Sequence, residues 1–139
     1  MNVQPKHTGN ACGNDQKRGV IRLDAKELKK RTKEFAHRTV KLALSLPKNA
    51  LGDHIRKQLI RCVTSVAANY RAASLSQTKA VFISKISVVA EESDESEFWL
   101  EFVMDEKLIP KELVMLLFTE AHELASIFIA ARKTSQEKK

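Results

Sequence analysis

A chain of 139 residues holds one hydrophobic core and leaves little for a second. It is 43% hydrophobic and 29% charged, as a folded domain requires, and with Gly 4 and Pro 3 it is too poor in turn-formers for the tight connections of a β-sandwich or barrel. The formal charge of +7 favours polyanionic partners without naming one.

Residues 1–22 hold three of the four glycines among scattered Asn, Gln and Lys, with no apolar run, and read as a disordered polar tail. A signal peptide needs an apolar stretch of roughly 7–15 residues, which this tail lacks. No uninterrupted apolar run elsewhere approaches the ~18–20 residues that span a bilayer. The expectation is a cytoplasmic protein with no membrane partner. Cys12 lies in the tail and Cys62 inside a helical apolar pattern, which excludes a CxxC metal knuckle; Cys62 reads as a small buried hydrophobe.

Four helical segments follow, predicted over 24–46, 50–73, 78–104 and 110–133, within a domain of residues 23–134 that ends in a polar tail, 135–139. In the first, Asp24 and Glu27 form a capping box, and Leu28, Thr32, Phe35, Thr39, Leu42, Ala43 and Leu46 share one side. Pro47 ends it. Asn49 caps the second, whose apolar line is Leu51, Ile55, Leu59, Cys62, Val66 and Tyr70.

Ser76 or Thr78 caps the third. Phe82, Ile86, Val89, Leu100 and Val103 point inward there, with Ser93 and Ser96 on the same line and Val81, Val88, Trp99 and Phe102 on another face. Its acidic block, Glu91 to Glu101, calls for basic neighbours, and Glu92 or Glu95 pairing with Arg61 or Arg71 is the simplest answer. Pro110 suits the first position of the fourth helix. Leu113, Leu117, Ala121, Leu124, Phe128 and Ala131 form one of its stripes, and Met115, Phe118, Ala125 and Ile129 a second. A four-helix bundle cannot cover both, so Val81, Val88, Trp99, Phe102, Met115, Phe118, Ala125 and Ile129 are candidate oligomer-interface residues.

Catalytic patterns fail. His122-Glu123 opens like a zinc-protease HExxH, but Ser126 stands where the second histidine is needed. There is no GxGxxG, GxxxxGK[ST] or GxSxG, and the third helix carries no histidine to complete a di-iron set. No catalytic residue, metal, cofactor or small-molecule substrate is expected. What remains is charge. Lys26, Lys30, Lys33 and Lys41 on the first helix, with Lys57, Arg61 and Arg71 on the second, form stripes spaced to meet phosphates, which makes them candidate nucleic-acid-binding residues. The single Trp and single Tyr sit in apolar patterns, so contact with RNA or DNA would run through the backbone. The charge is also divided: residues 1–75 carry 16 basic and 5 acidic side chains, and residues 76–139 carry 8 and 12.

The stretch 46–74 resembles the signature of the 23S rRNA intervening-sequence protein family in its helix-ending Pro47, its Gln58 and Arg61, and its Ser65-Val66-Ala67-Ala68-Asn69 element. The stretches 82–101 and 120–134 match as well, so the likeness spans about residues 24–134. Many members have Pro where Ala67 stands, and Val81 replaces an acidic helix-start residue. The resemblance implies an all-α, antiparallel up-down four-helix bundle of bacterial origin. It also implies a homo-oligomer, a pentameric ring, with no enzyme activity. Relatives include proteins encoded in insertions of 23S rRNA genes and accessory proteins of diversity-generating retroelements, which associate with nucleic acid and a reverse transcriptase. Two readings stand: an oligomeric binder of RNA or DNA backbone, and a scaffold or accessory subunit that contacts only a protein partner.

Overall fold

A computed structural model describes the backbone of residues 9–138 and the side chains of residues 25–138. Four helices account for most of it: α1 (Gly9–Leu44), α2 (Ala50–Ser74), α3 (Lys79–Asp105) and α4 (Lys111–Glu137), with no strand among the described residues. The α3–α4 pairing is the most extensive, followed by α2–α3 and α1–α2, while α1 and α4 touch at few points. The backbones of α1 and α3, and of α2 and α4, nowhere approach closely, which puts these pairs on the diagonals of an antiparallel up-down four-helix bundle, in contact only through core side chains such as Tyr70 and Phe128.

The inward lines follow the 3–4 spacing that puts side chains on one helical face. Phe35, Leu46, Ile55, Leu59, Ile86, Leu100, Leu124 and Phe128 are the largest fully buried members. Tyr70 packs on Phe128 with ring centroids 5.2 Å apart. Ser93 and Ser96 are fully buried, and their hydroxyls donate to the carbonyls of Val89 and Glu92, each at 2.7 Å. Thr32 does the same to Leu28 at 2.8 Å. Backbonding of this kind lets short polar side chains sit in an apolar core at low cost.

Local chemistry sets the ends of the elements. Asn49 Oδ1 accepts from the Gly52 N–H at 2.8 Å, and Thr78 Oγ1 from the Val81 N–H at 3.1 Å, both as capping predicts. A Cβ on Gly52 would lie 1.8 Å from the Pro47 carbonyl oxygen, so the α1–α2 connection requires glycine there. Arg56 of α2 closes the end of α1 by donating to the carbonyls of Ala43 (3.2 Å), Leu46 (2.7 Å) and Pro47 (3.1 Å). It thereby satisfies orphan acceptors and meets the negative end of the helix dipole. α3 ends in a Schellman motif: Leu108 N–H donates to Val103 C=O and Lys107 N–H to Met104 C=O, each at 3.1 Å, with Lys107 at φ 53.

Several boundaries differ from the sequence reading. α1 continues upstream of the Asp24–Glu27 box to Gly9, because once a helix is nucleated each added residue gains a hydrogen bond, and no proline intervenes to stop it. The tail assigned to 1–22 is therefore helical from Gly9, and its first eight residues lie outside the described residues. At the other end α4 runs on to Glu137 through the segment 135–137 read as polar tail. Pro110 sits one position earlier than predicted, at the N-cap of α4. Leu113 is 64% exposed and Val114 is buried in its place, since Leu113 falls in the first turn on the α1 flank, where little packs against α4.

α4 is also long and apolar enough to cross a membrane by length and composition alone, contrary to the sequence reading, which measured uninterrupted apolar runs only. In this bundle one flank of it is core, and its Glu120 and Glu123 are held by Arg31 of α1.

Candidate nucleic-acid interface

The outer face of α1 carries Lys26, Lys30, Lys33, His37 and Lys41, all exposed, with Lys29 beside them on the α2 side. On α2 the outward positions include Lys57, Thr64, Ala68 and Arg71, again exposed. Lys26, Lys29, Lys30, Lys33, Lys41, Lys57 and Arg71 form no ion pair among the described residues. Acids are sparse here: Glu27 and Glu34 lie toward α4, and Asp53 is held by Arg56 at 2.6 Å. The acidic face of α3 lies across the diagonal from α1, so the separation of charge along the chain becomes a separation of charge in space.

Arg61 is different. Its guanidinium donates to Glu92 at 3.0 Å and to Glu95 of α3, and Trp99 Nε1 adds a bond to Glu95 at 3.0 Å. The hydrogen bond from Arg61 to Glu95 raises the arginine pKa against the opposing effect of burial. Burial pushes Glu95 up, yet the bonds from Arg61 and Trp99 outweigh it and hold the carboxyl below its ordinary value. Arg61 is thus answered within the bundle, as the pairing expectation for the acidic block states, and leaves the candidate phosphate-binding set. The sequence offered Arg61 two roles, partner of Glu92 or Glu95 and phosphate-binding candidate, and the structure shows it in the first with both carboxylates at once. Lys29 completes the exposed row; its place beside Lys30 was the available signal.

A family model for 23S rRNA-intervening sequence proteins matches residues 25–130. The chain belongs to that family. A solved structure, that of a protein of unknown function from the S23 ribosomal protein family of Bacteroides thetaiotaomicron, is similar to it at 30% identity and a TM-score of 0.71, covering 78% of this chain and 97% of that one. No curated protein matches.

In this 23S rRNA-intervening sequence protein the apolar surface is distributed differently from the single patch predicted. Val81, Met115 and Ile129 are exposed, and Val88, Trp99, Phe102 and Phe118 are half-buried. Ala125 is only 3% exposed, because it lies on the α3 flank of α4, where the most extensive helix pair closes over small residues. Trp99 turns to the α2 side, edge-on to His54 at 5.4 Å, so it does not join the α4 residues in one patch. The sequence reading missed Leu116, which is 72% exposed, and Phe98, which is 50% exposed. Leu113, Leu116, Leu117 and Ile109 line a groove of about 350 Å³ between α1 and α4, with Arg38 and Lys41 on its α1 side.

Proposed function

We propose that this family member is a non-enzymatic protein that binds the backbone of RNA or DNA through the outer face of α1 and α2. The observation that carries the reading is the exposed set Lys26, Lys30, Lys33, Lys41, Lys57 and Arg71, free of ion pairs among the described residues, with the α1 members on the helix diagonal to the acidic one. Repeated exposed cations that outnumber the acids beside them, Glu27 and Glu34, are the electrostatic footprint of phosphate binding. The name of the family, 23S rRNA-intervening sequence protein, makes RNA the first probe. Fluorescence anisotropy with labelled RNA and DNA tests it. Binding should weaken by about a thousandfold between roughly 50 and 200 mM salt, and Lys30→Glu with Lys57→Glu should abolish it; absent or salt-independent binding would reject the reading.

A second reading, self-association, rests on Leu113 and Leu116. Two neighbouring leucines left largely in water on one flank of α4 are an interaction surface in want of a cover. The proposed cover is a second copy of the chain, in the closed ring, a pentamer, that the family resemblance implies. Sedimentation at micromolar concentration distinguishes a ring from a monomer, and Leu113→Ser with Leu116→Ser should convert the first into the second.

A further inference from the structure

We infer that the basic face takes duplex nucleic acid in preference to single strands. The inference rests on the reading of that face as a nucleic-acid interface, and goes beyond it by naming the form of the ligand.

The first ground is the layout of the cations. Lys26 to Lys41 on α1 span ~22 Å and Lys57 to Arg71 on α2 span ~21 Å at 1.5 Å per residue. Packed helices run about 8–10 Å apart, so the α1 lysines form one row, and Lys57 and Arg71, at the two ends of the α2 span, mark a second line beside it. A duplex presents two phosphate strands flanking a groove, ~6 Å wide on the minor side and ~12 Å on the major in B-form DNA, with a narrow major and a wide minor groove in A-form RNA. Two rows separated by about one helix diameter can each follow one strand. A single strand offers one line of phosphates and can satisfy one row.

The second ground is what the face lacks. Binders of single strands recover affinity by stacking bases on aromatic side chains. Among the described residues no Phe, Trp or Tyr is exposed on α1 or α2: Phe35 and Tyr70 are buried, and Phe98, Trp99 and Phe102 stand on α3 beside its acids. His37 is a lone ring in the α1 row and cannot stack a run of bases. What is left is counterion release, which is larger for a duplex: the salt slope is about −0.9 per phosphate contacted, against about −0.7 for a single strand. Six contacts with a duplex would give a slope of about −5, and the four of the α1 row with a single strand about −3.

The test is anisotropy of the full chain against a 20-base-pair RNA duplex, the matching DNA duplex and a 20-nucleotide oligouridine, each titrated with salt. The expected result is binding of both duplexes roughly fivefold or more tighter than oligouridine at 50 mM salt, with the steeper slope for the duplexes. Lys57→Ala with Arg71→Ala removes the α2 row, and should bring the duplexes down to the level of oligouridine while leaving oligouridine unchanged. Oligouridine bound as tightly as duplex would overturn the preference and leave the backbone-binding reading standing. No binding to any probe at 50 mM salt would overturn both.

Discussion

Arg31 on α1 and Glu120 on α4 face each other in a two-pronged ion pair, Nε to Oε2 at 2.7 Å and Nη2 to Oε1 at 2.8 Å, while Nη2 also reaches Glu123 at 2.7 Å. The bonds to Glu120 raise the guanidinium pKa against the opposing effect of burial. This is the one ionic tie among the described residues across the seam where the bundle is least packed. Forked arginine–carboxylate pairs are stronger than ordinary surface pairs, and this one is largely shielded from water. Arg31→Met should therefore lower stability by about 1 kcal/mol in urea unfolding. Glu123→Gln, whose partner is shared and whose side chain is more exposed, should cost about 0.3 kcal/mol. An equal loss from both would show that the fork to Glu120 has no special weight.

Glu95 gives the fold an acid limb. Its pKa in the folded state lies below the ordinary 4.5, so the unfolded chain takes up its proton first as the pH falls. The stabilisation is fully present above about pH 4.5 and is lost as the pH drops through the lowered folded value. Glu95→Gln should flatten the decline in melting temperature between pH 5 and 3 relative to the unchanged chain. A decline of the same steepness in the variant would assign the acid limb to other carboxylates.

The helices and their buried lines were legible because both follow from one local rule, the 3–4 recurrence of apolar residues. Ile55, Leu59, Cys62, Val66 and Tyr70 could be placed inward from α2 alone, and all five are buried. The misplaced residues are those whose surroundings are set by another helix. Arg61 was assigned to both the acidic block and the phosphate-facing stripe, and only the neighbouring helix, through Glu92 and Glu95, decides between them. Leu113 sits near the inward line of α4, yet it lies at a helix end on the flank where α1 barely packs. Ala125 fits an exposed stripe by angle and is covered by α3 because a small side chain permits close approach. The start of α1 was misjudged for the converse reason: a strong local capping signal is not an end when the chain upstream can continue the helix.

Thr39 is fully buried, and its hydroxyl has no hydrogen-bond partner among the described residues, unlike those of Thr32, Ser93 and Ser96. An unpaired buried hydroxyl costs roughly 1–3 kcal/mol relative to a paired one. Thr39→Val keeps the shape and removes that penalty, so it should raise stability by about 1 kcal/mol. Loss of stability on the same substitution would mean that the hydroxyl is bonded in solution.

Cys62 should be chemically silent. It is fully buried, and burial is the main cause pushing its thiol up to about 11, with Ser96 Oγ at 3.2 Å opposing in part. The reactive thiolate is then scarce at pH 8 as well as inaccessible. In a Cys12→Ser chain, a disulfide-exchange reagent should leave the native protein unmodified and titrate one thiol after denaturation. Rapid native labelling would show that the α2–α3 contact opens.

The contrast between Arg61 and Lys33 separates charge available to a ligand from charge already answered. Both are cationic and outward by periodicity, but Arg61 is held by Glu92 and Glu95 whereas Lys33 is in no ion pair among the described residues. Arg61→Gln should lower stability, because it leaves two neighbouring carboxylates without their counter-charge, and should change RNA affinity by less than about twofold at constant salt. Lys33→Gln should do the opposite, with an unchanged unfolding midpoint and a salt slope shallower by about 0.9 for duplex RNA. The two variants are compared by urea unfolding and by anisotropy on the same preparations. If Arg61→Gln flattens the salt slope as much as Lys33→Gln does, Arg61 leaves its carboxylates to meet phosphate, and the bundle contributes a larger basic surface than its resting ion pairs indicate.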